Sequence, residues 1–201
     1  MSATAVREAR PAAGQSPRSV GMKPFLNWVG LCVLGIPLGG YLGNIVAGPV
    51  DGLTPALLAG ALTGGGIGLA QWLMLRRSLG VGPGWIAATS VGLAAGLAVG
   101  ASAVGYETAR PELAIMGAIS GAFVGLAQGL LLRRHGFSLW AAWIAAIPPA
   151  WALGWFVSSY VISRNIDERF PVFGASGAVV FAILSGLLLM AGLRRGKSPS
   201  E

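Results

Sequence analysis

Two glutamines, Gln71 and Gln128, are the polar side chains of this sequence best placed to do chemistry, because each lies in a long apolar run three residues after a glycine. A side-chain amide inside hydrocarbon needs a hydrogen-bond partner. It can bond a backbone carbonyl exposed beside a glycine, coordinate the metal of a pigment, or line a solute path. The interhelical hydrogen bond is the favoured interpretation, and both glutamines stay candidates for cofactor binding.

Ser176 lies in the tetrapeptide Gly-Ala-Ser-Gly at 174–177, which resembles the Gly-x-Ser-Gly motif of rhomboid intramembrane proteases. A nucleophilic serine needs a base within hydrogen-bond reach. The only histidine, His135, follows an arginine pair that we predict at the opposite end of the helices from Ser176. The resemblance is therefore interpreted as coincidental, and we predict no catalytic residue and no enzyme activity.

The composition is that of a membrane protein. Of 201 residues, 54% are hydrophobic and 10% are charged, and the mean hydropathy is +0.70, whereas soluble domains carry about 25% charged residues. The single cysteine, Cys32, excludes an intramolecular disulfide and a cysteine-rich metal site. The basic residues come in pairs between apolar runs, so the net charge of +7 indicates no nucleic-acid partner.

Six apolar segments without a charged residue predict an all-α membrane protein with six transmembrane helices. Each has the roughly 20 residues that a helix needs to cross about 30 Å of hydrocarbon. Pro55, Pro111 and Pro171 stand at or just before the even-numbered segments, where a first-turn proline leaves no helical hydrogen bond unmade. The segments are 25–47, 55–75, 85–105, 113–132, 137–161 and 172–193.

The connections between these segments alternate in charge. Eleven of the 14 basic residues lie in the two termini and in the connections after segments two and four. By the positive-inside rule, both termini are expected in the cytoplasm, with the chain in a bacterial cytoplasmic membrane. Three arginine pairs on that side are expected to bind anionic lipid headgroups. These are Arg76 and Arg77, Arg133 and Arg134, and Arg194 and Arg195.

An internal repeat divides the six segments into three helical hairpins, at 25–77, 83–134 and 137–195. The run at 64–71, which ends in Gly-Leu-Ala-Gln before Leu-Arg-Arg, recurs at 121–128, and a weaker copy has Leu189 in place of the glutamine. Trp28 likewise recurs as Trp85 and Trp143. Each copy crosses the membrane twice, so the three have one orientation, and we predict pseudo-threefold symmetry about the membrane normal.

Glycines at four-residue spacing recur along the segments, and we predict that they form the contacts between helices, because small residues let helix backbones approach closely in lipid. They are Gly35, Gly39, Gly64, Gly68, Gly92, Gly96, Gly121, Gly125, Gly154 and Gly186. Five tryptophans near the cytoplasmic boundary are interpreted as an interfacial aromatic belt. They are Trp28, Trp72, Trp85, Trp140 and Trp143.

The repeated Gly-x-x-x-Gly-Leu-Ala-Gln and Leu-Arg-Arg elements make the chain similar to small bacterial multi-span membrane proteins of unassigned function. The resemblance covers most of the chain through its repeats. It implies a bacterial setting, and it implies no activity and no site residues.

The expected domains are a basic cytoplasmic tail at 1–24, a six-helix bundle at 25–195 and a short cytoplasmic tail at 196–201. Two functions are compatible with this organisation. The first is a non-catalytic accessory subunit, docked through the basic tail to other subunits of a larger membrane complex such as a photosynthetic or respiratory one. The second is a small-solute channel along the pseudo-threefold centre. No cofactor is predicted, although lipid or pigment can contact the periphery.

Overall fold

The computed structural model describes residues 22–161 and 175–195. Within these ranges the chain is helical without strands, and all six helices are long and apolar enough to cross a membrane. This confirms the prediction of a multi-pass, all-α membrane protein. Three parts of the prediction lie outside the described residues. They are the basic tail up to residue 21, the start of segment six with Pro171, and the tail at 196–201. The helices are α1 (Met22–Ala47), α2 (Leu53–Ser78), α3 (Gly84–Ala103), α4 (Arg110–Arg134), α5 (Trp140–Val161) and α6 (Ala175–Arg195).

Short connections join α1 to α5 in sequence order, and glycine makes the turns behind the first two arginine pairs. Gly80 and Gly136 have φ angles of 64° and 70°, in the left-handed region that other residues rarely adopt. At Gly136 the chain leaves the helix, and α5 begins at Trp140 rather than at Phe137 as predicted. Phe137 instead forms a turn, in which its N–H donates to the carbonyl of Leu132.

The helices are arranged as a closed ring. Each one packs mainly against its neighbours in sequence, and α6 returns to pack against α1. Neighbours run antiparallel, because Gly35 of α1 lies against Ala70 of α2 while Gly43 lies against Ala59. The three arginine pairs therefore lie at one end of the bundle, which we call the arginine end, and Asp51, Glu107 and Glu112 lie at the other end.

The glycines form the closest helix contacts. A methyl group placed on Gly64 would lie 2.6 Å from the carbonyl oxygen of Thr89, and one placed on Gly96 would lie 2.7 Å from the Cα atom of Ser120. The close-packed glycines of α1 face α2, those of α2 face α1 or α3, those of α3 face α4 and those of α4 face α5. In α6, Gly177 faces α5 and Gly186 faces α1. The predicted members with such contacts are Gly35, Gly39, Gly64, Gly68, Gly92, Gly96, Gly121, Gly125 and Gly186, while Gly154 is buried against Gly177.

The aromatic-belt prediction is wrong for three of its five tryptophans. Trp28, Trp85 and Trp143 are fully buried, each with 0% of its surface exposed. Trp72 and Trp140 are only partly buried and lie under arginine side chains, in positions typical of a membrane interface.

Candidate functional site: a buried cluster of indoles and amides

Three tryptophans from the odd-numbered helices meet inside the ring near the arginine end. The ring centroid of Trp143 lies 6.0 Å from that of Trp28 and 6.3 Å from that of Trp85, both in edge-to-face geometry. Phe137 packs on the same indole at 6.5 Å. Edge-to-face aromatic pairs contribute about 0.5–1.5 kcal/mol each beyond the burial of their surface. The three indoles thus link α1, α3 and α5, which otherwise contact mainly their sequence neighbours.

The two glutamines bond these indoles from the even-numbered helices. Trp85 donates its Nε1 hydrogen to Oε1 of Gln71 at 3.1 Å, and Trp143 donates to Oε1 of Gln128 at 3.1 Å. Both glutamines are fully buried. Each bond joins the second helix of one hairpin to the first helix of the next. The sequence predicted a partner for each amide but expected a backbone carbonyl, whereas the structure supplies an indole.

The amide hydrogens complete the cluster. Nε2 of Gln128 donates to Oε1 of Gln71 and to Oγ1 of Thr89, both at 2.9 Å. Nε2 of Gln71 lies 4.0 Å from the Sγ atom of Cys32 as a weaker donor. Thr89 passes its own hydroxyl hydrogen to the carbonyl of Trp85. The two glutamines are therefore bonded to each other and to α1, α3 and α5.

Hairpin 3 closes the ring with different residues at the matching positions. Leu189 stands where the other hairpins have glutamine, and Ile147 stands where they have Cys32 and Thr89. The amide and its hydrogen-bond partner are thus both replaced by apolar groups. Trp28 is the tryptophan that would face a glutamine at position 189. Its indole donates instead to Oγ of Ser185 at 3.0 Å, and Ser185 lies one turn before Leu189. All three indole N–H groups are consequently bonded.

The bonding pattern determines what this cluster, formed by Trp28, Trp85, Trp143, Gln71 and Gln128, can do. Oε1 of Gln71 already accepts two hydrogen bonds, and both Nε2 hydrogens of Gln128 have acceptors. A pigment metal bound by Oε1 of Gln71 would have to displace one of its two donors, the Trp85 indole or the Gln128 amide. A buried N–H left unpaired in this way would cost about 1–3 kcal/mol. The arrangement favours a structural role for the amides, as hydrogen-bonded links between hairpins.

Arginine side chains surround the arginine end outside this cluster. The Arg76 guanidinium lies 4.8 Å from the Trp72 ring centre, and that of Arg133 lies 5.1 Å from the Trp140 ring centre. Such cation–π contacts hold the charge at the edge of the bundle. All six arginines that were predicted to bind lipid headgroups are exposed. Besides Arg76 and Arg133, they are Arg77, Arg134, Arg194 and Arg195.

The serine and histidine of the rhomboid comparison do not come together. His135 is exposed at the arginine end, while Ser176 lies in the first turn of α6 at the opposite end. The 18 residues from Ser176 to Arg194 extend about 27 Å along the helix. The pair is therefore far outside hydrogen-bond reach.

Sequence reasoning missed the tryptophans of this cluster and also Thr89, Cys32 and Ser185, which bond to it. One signal was available, because Trp28, Trp85 and Trp143 recur in register with the repeated glutamines. Ser185 had no such signal, since it occurs in a single hairpin. Comparisons of the chain with protein-family models, with curated proteins and with solved structures find no match.

Proposed function

We propose that the chain is a non-catalytic structural subunit of a larger bacterial membrane complex, of the kind found in photosynthetic or respiratory assemblies. The observation that carries the proposal is the closure of the ring at the arginine end by three buried indoles whose N–H groups are all bonded within the protein. Such a centre is suited to rigidity. The bundle then serves its partners through its outer surface.

We further propose that the three hairpins are related by a pseudo-threefold axis along the membrane normal. Two features support this arrangement. The contact of α6 with α1 closes the ring, and each tryptophan bonds the even-numbered helix of the preceding hairpin, with Ser185 as the partner of Trp28. In such an arrangement each hairpin is hydrogen-bonded to the next one, and the third hairpin is hydrogen-bonded to the first.

The buried indoles disfavour the alternative, a small-solute channel. A path along the centre of the ring would pass through Trp28, Trp85 and Trp143. These indoles have no exposed surface, and Trp143 contacts both of the others. Opening it would break the hydrogen bonds that Trp85 and Trp143 donate to the two glutamines. A transported solute would then have to supply equivalent bonds at the same place.

The proposal is tested by isolating the chain from its native membrane in a mild detergent and identifying the proteins that accompany it. We expect stoichiometric membrane-protein partners. The purified chain is also placed in liposomes, where we expect water and glycerol fluxes equal to those of protein-free liposomes. Isolation as a free monomer would contradict the subunit proposal, and a flux above background would indicate the channel instead.

The orientation we propose places the arginine end in the cytoplasm, as the excess of basic residues there predicts. Asp51 and Ser78 are both exposed and lie at opposite ends of the bundle, so Asp51→Cys and Ser78→Cys form a matched pair. Cys32 is 1% exposed and stays unlabelled. A membrane-impermeant maleimide is expected to label Asp51→Cys in intact spheroplasts and Ser78→Cys only after lysis. The reverse pattern would show that the bundle is inverted.

A further inference from the structure

A groove of about 510 Å³ opens at the arginine end between the start of α1 and the end of α2. Its inner part is apolar, lined by Leu31, Leu73 and Met74, and its outer part is polar, lined by Asn27, Arg76 and Arg77. The volume is within the range of small-ligand sites, about 300–1,000 Å³. The polarity changes along the groove as it does along a phospholipid, from acyl chain to headgroup.

One of the two arginines of the groove, Arg76, is held in place. Arg76 lies over the Trp72 ring, and Trp72 is itself fixed because its Nε1 hydrogen bonds the carbonyl of Val81 at 3.0 Å. Within residues 22–161 and 175–195 every carboxylate side chain lies at the other end of the bundle, so none in that part of the chain neutralises this arginine pair. An anion bound here would meet two guanidinium groups.

We infer that this groove is a specific binding site for one anionic phospholipid. The phosphate lies between Arg76 and Arg77 with the Asn27 amide beside it, and an acyl chain follows Leu31 and Leu73 towards the hydrocarbon. Leu73 is 36% exposed, so the inner part of the groove opens sideways to the bilayer. Bidentate bonds from guanidinium to phosphate give such a site its preference for the anionic headgroup.

Hairpin 2 provides a matched control within the same chain. Arg133 and Arg134 repeat the arginine pair, and Arg133 repeats the contact with a tryptophan ring. The positions that correspond to Asn27 and Leu31 are Gly84 and Ala88, which lack the amide and the larger apolar side chain. The two pairs thus carry the same charge, but only the first is accompanied by the amide and the larger apolar side chain.

The test measures lipid retention by native mass spectrometry of the full chain in detergent, with dioleoyl phosphatidylglycerol as the probe. Each basic residue at an anionic membrane surface contributes about 1 kcal/mol, so Arg76→Gln with Arg77→Gln is expected to weaken retention of one lipid about 30-fold. Arg133→Gln with Arg134→Gln is expected to leave it within about twofold. Asn27→Trp, at an exposed position, fills the groove without changing charge and is expected to abolish retention while the melting temperature is unchanged.

Three outcomes would overturn the inference. Equal losses in the two double variants would show attraction to charge alone. Equal retention of dioleoyl phosphatidylcholine would show that the anionic headgroup is not recognised. Displacement of the lipid by an equal concentration of inorganic phosphate would show that the site binds free phosphate and not a lipid.

Discussion

Replacing Gly64 by leucine is expected to destabilise the bundle by roughly 3 kcal/mol, the upper end of the range for overpacking. Even the first carbon of the new side chain would lie 2.6 Å from the Thr89 carbonyl oxygen and 2.7 Å from the Cα atom of Ser90. Both are backbone atoms of α3, so no side-chain rotation relieves the clash. The two helices must separate, and Thr89 would move relative to Gln128, to which it is bonded.

Gly30→Leu is the matched control for this substitution. Gly30 lies inside α1 on the same exposed face as Leu26 and Leu34, and a methyl group added to it would meet no atom within 4 Å. Leucine is favoured over glycine in a helix by up to about 1 kcal/mol, so this variant is expected to be as stable as the natural chain or more so. Unfolding in SDS, followed by near-ultraviolet circular dichroism, measures both. Equal stability of the two variants would contradict the role of Gly64 in packing.

The six helices could be predicted from the sequence because one physical requirement decides them. A charged or strongly polar residue inside hydrocarbon is costly, so the apolar runs between the charged connections had to be the spans. The same requirement does not decide where a helix ends. At the start of α5 the apolar run begins at Phe137, yet Gly136 turns the chain there and the helix begins at Trp140.

Of the indole–amide cluster, the sequence could predict the glutamines but not the tryptophans. A glutamine in an apolar run must find a partner, and this placed Gln71 and Gln128 in contacts between helices. A tryptophan near the end of a span is ambiguous, because its indole is stable either at the interface or in the interior beside an acceptor. Trp85 and Trp72 lie at similar depths, and the first is buried while the second is not. Which tryptophan turns inward depends on how the neighbouring helix packs against it. That packing cannot be predicted from the residue type and its position in the span.

Gln128→Leu is expected to destabilise the bundle by about 2 kcal/mol. The change removes the hydrogen bonds to Gln71, Thr89 and Trp143, and hydrogen bonds between membrane helices contribute roughly 0.6 kcal/mol each. Gln71 keeps its bond from Trp85 and Thr89 keeps its bond to the Trp85 carbonyl. Trp143 is left with a buried, unpaired N–H, so this indole should dominate the loss.

Hairpin 3 indicates how that loss can be repaired. There a leucine occupies the glutamine position, and Ser185, four residues earlier, accepts the indole hydrogen of Trp28. The residue four before Gln128 is Val124, which is buried like Ser185. Val124→Ser in the Gln128→Leu background should therefore supply an acceptor to Trp143, with its own hydrogen given to the carbonyl four residues back, as Ser185 does to Phe181.

The comparison that isolates this bond is a double-mutant cycle, in which Val124→Ser is measured with and without Gln128→Leu. Alone, the serine replaces a packed valine and gains no new indole partner, since Trp143 is already bonded to Gln128. Together, the two changes are expected to cost about 1 kcal/mol less than the sum of the single changes, a coupling typical of residues that share a hydrogen bond. Indole fluorescence of the double variant should keep the blue-shifted maximum of buried tryptophan. Additive costs would mean that hairpins 2 and 3 are not structurally equivalent at this position, and the proposed threefold arrangement would then lose its main support.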